Sequence, residues 1–161
     1  MSARLVIEGI TTAYDKADVL ENVTLTIEPG TVIASSLGTN TRASLTVTKG
    51  ARLIAIGTQA EPIIFTSKND VATWTAGDPK TGTWRAVSSE WGNVNILGAG
   101  YISEDGVAAN TASPNANNVA VMEGLIAAGP TDTRQIYGGG NDNDSSGTIS
   151  YCSFRYGGQV V

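Results

Sequence analysis

A short apolar pattern repeats in register near the start of the chain, and it constrains the fold more than any other feature. Segment 25–33, Leu-Thr-Ile-Glu-Pro-Gly-Thr-Val-Ile, returns twenty residues later as segment 45–53, Leu-Thr-Val-Thr-Lys-Gly-Ala-Arg-Leu. The same interval backwards reaches segment 5–9, Leu-Val-Ile-Glu-Gly. In each copy the apolar residues at i and i+2 share one face of an extended strand. The repeat therefore predicts stacked strands rather than helices.

Strands that recur at a fixed interval indicate a coil whose turns stack in parallel, a β-solenoid. Gly30 and Gly50 occupy equivalent places, as expected at corners where a positive φ disfavours a Cβ. Turns stacked about 4.8 Å apart would place Leu25 directly against Leu45. Parallel crossover connections are nearly always right-handed. The sequence thus predicts an all-β fold, a right-handed single-stranded parallel β-helix.

Long polar segments interrupt the strand pattern. They cover residues 68–90, 99–118 and 127–146. Strand character returns after each of them, at residues 91–98, 119–126 and 148–156. In the last of these, the alternation places Ile149 and Tyr151 on the face opposite Cys152 and Phe154 unless a corner intervenes. We therefore expect a single β-helix domain over residues 1–161, with long loops projecting from the coil.

The composition excludes several classes of function. The net charge is −5, with only 10 lysines and arginines, which argues against a nucleic-acid partner. The chain has no histidine, and Cys152 is its one cysteine, so the usual zinc sites, Ser-His and Cys-His pairs and an internal disulfide are excluded. No apolar run approaches the roughly 20 residues of a membrane span.

Several segments resemble the repeats of bacterial secreted and cell-surface right-handed parallel β-helix proteins of the pectin-lyase-like type. These segments are 25–33, 45–53, 57–67, 90–98 and 146–158. The resemblance implies an extracellular or cell-surface location. Because residues 1–5 show no export signal, such a signal would lie outside this sequence, and a cytoplasmic location is the alternative.

The resemblance implies a fold more specifically than a function, because a site rather than a fold determines activity. We expect a non-catalytic scaffold or binding module that contacts a polysaccharide or another surface macromolecule. The alternatives are a polysaccharide lyase or hydrolase, and a structural module that forms homo-oligomers through its coil ends, where a parallel edge is exposed. A cleft lined by two or more carboxylates and a basic residue would favour the enzyme.

Aromatic residues in or beside the long loops are candidates for glycan binding, because exposed rings can stack on sugars. They are Trp74, Trp84 and Tyr101, with Arg134 as a candidate partner for an acidic sugar. The alternative, which we favour, is that the rings fold back and cover the apolar flank of the coil. Trp91, at the start of a strand, is expected to pack in this way.

One loop concentrates oxygen ligands of the kind that calcium prefers. Its candidate ligands are Asn141, Asp142, Asn143 and Asp144, in a glycine-rich segment. The spacing is not that of a known calcium loop, so a solvated turn is the simpler interpretation. Calcium is therefore the one cofactor that the sequence suggests, and we expect no other.

Overall fold

The computed structural model describes residues 5–8, 23–35, 44–103, 118–122 and 136–158, the first range by its backbone alone. Short strands dominate these residues. They are β1 Leu5–Glu8, β2 Thr24–Ile27, β3 Val32–Ser35, β4 Leu45–Val47, β5 Arg52–Ile56, β6 Ile63–Ser67, β7 Val94–Ile96, β8 Val119–Val121, β9 Ile136–Gly138, β10 Gly147–Ser150 and β11 Cys152–Phe154. A single helical turn, α1 Lys68–Val71, and a 3-10 turn, Pro79–Thr81, follow β6.

The chain visits three sheets in a fixed order and then returns to the first. Strands β2, β3 and β4, which we call the first rung, lie in three different sheets. Strands β5, β6 and β7, the second rung, pair with them in parallel and in the same order. Strands β10 and β11, the third rung, then pair in parallel with β5 and β6. The predicted all-β fold with parallel sheets is confirmed at this level.

The predicted register is wrong. Leu25 pairs with Leu53, and Leu45 pairs with Val94, so Leu25 and Leu45 lie in different sheets. The repeat marks two corners of one rung: β2 and β4 each end in a turn whose glycine has a positive φ, 78° at Gly30 and 82° in the later copy. The interval in sequence between equivalent turns is therefore shorter than the interval between strands that pair.

Two strand pairs depart from the parallel pattern. Strand β1 is antiparallel to β2, with Leu5 opposite Ile27, so it is not the earlier parallel copy that the repeat predicted. Strand β8 pairs antiparallel with β9, which lies inside the predicted loop 127–146. The segment that starts at Val119 therefore forms a separate two-stranded sheet instead of adding a rung.

The core is the interior that the inward side chains of the rungs share. Leu53, Ile63 and Phe65 of the second rung are completely buried, and each such side chain contributes about 1.5–3 kcal/mol. Phe154 of the third rung stacks on Phe65, with ring centroids 4.9 Å apart and planes 5° from parallel. Cys152 is partly buried against the same core, and burial raises the pKa of its thiol.

A corner divides the predicted last strand. Tyr151 has a φ of 50° and separates β10 from β11, which lie in different sheets. The third rung also depends on a glycine at its start. Gly147 has a φ of 118°, and a Cβ there would lie 2.0 Å from the carbonyl oxygen of Leu53. The chain backbones of the second and third rungs therefore approach too closely for any side chain at this position.

Candidate functional site

A polar cluster forms where β6 ends and the segment 68–90 leaves the coil. Ser67 caps α1, because its Oγ accepts a hydrogen bond from the Asp70 backbone N at 3.2 Å. The Asp70 side chain turns inward and is 2% exposed as a residue. Its carboxylate accepts hydrogen bonds from Thr66 Oγ1 at 2.7 Å and from Trp74 Nε1 at 3.3 Å. Asp70 is therefore a buried, hydrogen-bonded carboxylate.

An arginine that follows β11 joins this cluster, because β6 and β11 are parallel neighbours and their carboxyl ends meet at the same edge. Arg155 places its Nη1 3.5 Å from Asp70 Oδ2 and donates from Nε to Ser153 Oγ at 3.1 Å. Its guanidinium carbon also lies 6.0 Å from the centre of the Trp74 ring system. The pairing of β6 with β11 thus brings together an acid and a base that are distant in sequence.

A second ion pair fastens the end of the 68–90 segment to the coil. Arg85 contacts both carboxylate oxygens of Glu90, with Nη1 donating to Oε2 at 3.0 Å. Ser67 Oγ and Asn69 Nδ2 also donate to this carboxylate. Chiefly through Arg85, these donors lower the pKa of the buried Glu90 from 4.5 to about 2, although burial alone would raise it. Glu90 therefore stays ionised and fully engaged at neutral pH.

A cleft of about 370 Å³ opens beside the Asp70–Arg155 pair. Its lining residues are Asp70, Gly82, Thr83, Trp84, Arg155 and Tyr156. The indole of Trp84 is 79% exposed, so one aromatic face is presented to solvent. Tyr156 anchors the adjoining loop, since its hydroxyl accepts from the Arg85 backbone N at 3.3 Å and its ring lies 5.2 Å from the Arg85 guanidinium.

The cleft has the groups for binding but lacks those for acid–base hydrolysis. Asp70 is the one carboxylate among the lining residues, and Arg155, Thr66 and Trp74 already contact it. Glu90 does not line the cleft and is held ionised. Glycoside hydrolysis usually requires two carboxyl groups that flank the scissile bond. An exposed indole beside hydrogen-bonding groups is instead suited to holding a ring-shaped ligand.

The four predicted glycan-binding residues do not share one site in the structure. Trp84 lies in the cleft and is exposed, so the prediction that it folds back onto the coil is wrong for this residue. Trp74 is half-buried beneath Arg155. Tyr101 is exposed but does not line the cleft. Arg134 lies outside the described residues.

Trp91 packs as predicted. It is buried, and its Nε1 donates a hydrogen bond to the Arg155 carbonyl oxygen at 2.7 Å. It therefore supports from below the backbone that carries the cleft arginine.

The predicted calcium loop uses its side chains to hold a neighbouring segment. Asp142 Oδ1 accepts from Tyr101 N at 2.9 Å, and Asp144 Oδ2 accepts from Ala99 N at 2.8 Å. Within the loop, the Asn141 side-chain oxygen accepts from the Asn143 backbone N at 3.2 Å. In the part of the chain that the structure describes, no three histidine, cysteine or acidic residues group as metal ligands. Calcium binding at this loop stays a prediction.

Sequence reasoning missed most of the cluster. The pattern Ser67-Lys-Asn-Asp70, a serine followed three residues later by an acid, is a helix-start signal that would have marked the first turn after β6. No comparable signal marks Glu90 or Tyr156, whose roles depend on contacts across the fold. Nor does any local signal mark the ion pair of Arg155 with Asp70, since the two residues are distant in sequence.

Parallel rungs define this chain as a β-helix protein, and an outgoing loop forms a cleft on its surface. A family model for the pectate-lyase-like β-helix domain matches residues 12–161, and the chain belongs to that family. This match confirms the predicted relation to pectin-lyase-like β-helix proteins. No curated protein and no solved structure matches the chain. Among the described residues, no helix has the length and apolar character that crossing a membrane requires.

Proposed function

We propose that this protein is a non-catalytic binding module, secreted or displayed on a cell surface, that contacts glycans through the Trp84 cleft. The module is a single β-helix domain over residues 1–161, with one strand per sheet in each turn and a right-handed winding, as expected for parallel crossovers. The observation that carries the proposal is the exposed indole of Trp84 in a cleft that also holds hydrogen-bond donors and acceptors.

The chemistry of the cleft supports binding over catalysis. A hydrolase of the usual type needs a carboxylic acid that can give up a proton and a second carboxylate across the substrate. Asp70 is the sole carboxylate among the lining residues and contacts Arg155, while Glu90 is bound by Arg85. The hydrolase alternative therefore has no observation in its favour.

The proposal is tested by replacing the exposed indole. Trp84→Ala removes a side chain that contributes little to the core, so folding is expected to be unchanged. Anchors of this kind are worth about 2 kcal/mol or more, so affinity for any glycan found on an array should fall at least about tenfold. Tyr101→Ala, which removes an exposed aromatic outside the cleft, is the matched control and should bind normally. Equal binding by the wild type and Trp84→Ala would contradict the proposal.

A second role, self-association through a coil end, is supported by a different observation. Strands β10 and β11 end their sheets in the described part of the chain. Ile149, Tyr151 and Phe154, on or between these strands, are exposed. Edge strands that carry apolar side chains are templates for pairing. Light scattering after size-exclusion chromatography, with Phe154→Ser as the test variant, would show a dimer in the wild type that the variant lacks. A monomeric wild type would contradict this role.

Calcium at the 141–144 loop is tested separately. Binding to the native state alone raises the melting temperature. Calcium should therefore stabilise the wild type but not a variant that carries Asp142→Asn and Asp144→Asn. If calcium has the same effect on both proteins, this loop is not the site.

A further inference from the structure

We infer that the Trp84 cleft selects a neutral sugar ring over a uronate or another anionic sugar. The inference rests on the proposed function, because it specifies which glycan the same cleft takes. It follows from the charges that line the cleft, from the hydrogen-bonding capacity that remains there, and from the size of the cavity.

The charges in the cleft cancel. Asp70 and Arg155 are the charged members among the lining residues, and Arg155 Nη1 lies 3.5 Å from Asp70 Oδ2. The guanidinium is therefore already facing a carboxylate. An anionic sugar that approached Arg155 would compete with Asp70 for it and would place a second negative charge beside a buried one. The pair thus penalises an anion, although it contains an arginine.

Arg85, in the same loop as Trp84, does not change this balance. Arg85 binds Glu90 through two nitrogens and is not among the lining residues. At longer range, the net charge of −5 repels a polyanion and leaves a neutral oligosaccharide unaffected.

The remaining hydrogen-bonding capacity suits hydroxyl groups. Asp70 offers a ligand little, because it is 2% exposed, accepts hydrogen bonds from Thr66 and Trp74, and lies 3.5 Å from Arg155 Nη1. Arg155 has five donors, of which Nε contacts Ser153 and Nη1 contacts Asp70. The Tyr156 hydroxyl accepts from the Arg85 backbone, so its own proton is available to donate. Sugar hydroxyls can accept hydrogen bonds from these remaining donors of Arg155 and Tyr156.

The indole and the cavity size complete the match. The exposed face of Trp84 offers an apolar surface to the C–H face of a pyranose ring. The cavity of about 370 Å³ lies near the lower end of the roughly 300–1,000 Å³ usual for ligand pockets. The cleft therefore holds a short stretch of a glycan rather than a long chain along the coil.

The inference is tested by titrating the full chain with oligosaccharides of equal length and measuring binding by tryptophan fluorescence and by isothermal titration calorimetry. The neutral probes are cello-, manno- and xylo-oligosaccharides, and the anionic probe is an oligogalacturonate. At least one neutral probe should bind about tenfold or more tightly than the oligogalacturonate. Its affinity should change little between low and high salt, and Trp84→Ala should abolish binding.

A charge variant isolates the cause. Asp70→Asn keeps the shape of the side chain and leaves the Arg155 charge unbalanced, so oligogalacturonate affinity should rise severalfold and become sensitive to salt. Melting curves test whether this variant is folded. If it is unfolded, the comparison of neutral and anionic probes on the wild type tests the inference by itself. Equal or tighter oligogalacturonate binding that still requires Trp84 would overturn the inference and leave the proposed function standing. If no probe binds in a Trp84-dependent way, both fail.

Discussion

The partly buried ion pair between Arg85 and Glu90 leads to a quantitative prediction about acid stability. Hydrogen bonds from Arg85, Ser67 and Asn69 lower the Glu90 pKa from 4.5 to about 2. One pKa unit corresponds to about 1.36 kcal/mol, so the shift contributes about 3 kcal/mol at neutral pH. Because the folded-state pKa is the lower one, this contribution is complete above the unfolded pKa and disappears as the pH falls towards 2. At about pH 3, roughly 1.5 kcal/mol remains.

Glu90→Gln removes this contribution while keeping a side chain of similar shape. The free energy of unfolding should therefore be about 3 kcal/mol lower than that of the wild type at pH 7, and the difference should shrink to about 1.5 kcal/mol near pH 3. Urea denaturation at a series of pH values, followed by far-ultraviolet circular dichroism, measures the free energy of unfolding of both proteins under the same conditions.

The matched control is Glu61→Gln, which neutralises an exposed carboxylate in the turn between β5 and β6. Its free energy of unfolding should follow that of the wild type within about 0.5 kcal/mol at every pH. A gap between Glu90→Gln and the wild type that does not change with pH would refute the reasoning. It would mean that the amide lowers stability by altered packing rather than by loss of the ionised carboxylate.

Three further predictions concern single positions in the rungs and the cleft loop. Gly147→Ala would put a Cβ 2.0 Å from the Leu53 carbonyl oxygen, so the backbone amides of β10 should lose their protection from hydrogen exchange while those of β2 keep it. Retained protection in β10 would contradict the pairing of Gly147 with Leu53. Phe65→Ala should lower the free energy of unfolding by about 3–5 kcal/mol, and Phe154→Ala by about 1–2 kcal/mol, because the Phe154 ring is half-exposed. Equal losses in urea denaturation would contradict the placement of Phe65 inside and Phe154 at the edge of the stacked pair. Gly82→Ala would place a Cβ 2.8 Å from the Trp74 indole, so the loop should shift. Glycan affinity should then fall at least about tenfold in a calorimetric titration, with little change in melting temperature. Unaltered affinity would exclude a close fit between this loop and the sugar ring.

Strand positions were predictable because they depend on local chemistry. Alternating apolar residues and a glycine with positive φ mark the same strand-and-corner unit wherever it occurs, as at Gly30 and Gly50. The register was not predictable from the same pattern. The repeat matches Leu25 with Leu45, whereas the path of the chain through three sheets pairs Leu25 with Leu53.

The cleft was less predictable than the fold for the same kind of reason. The sequence marked Trp84 as an aromatic residue in a loop, but its exposure depends on how Glu90, Arg85 and Tyr156 fix that loop. Arg85 and Glu90 lie in a segment without periodicity, and Tyr156 comes from a distant segment that the pairing of β11 with β6 brings near them. A pattern within one segment carries no information about such contacts.

The third rung joins the second across a long span of chain, and this affects the order of folding. Arg52 donates a hydrogen bond to the Ser145 carbonyl oxygen, although the two residues are 93 positions apart in sequence. Closing a loop costs about 0.6 kcal/mol more for each doubling of its length, and distant contacts form slowly. The first two rungs should therefore assemble well before β10 and β11 arrive. During that delay the edges of β5 and β6 are open to other chains, so the rate of this last step sets how readily the newly made protein aggregates.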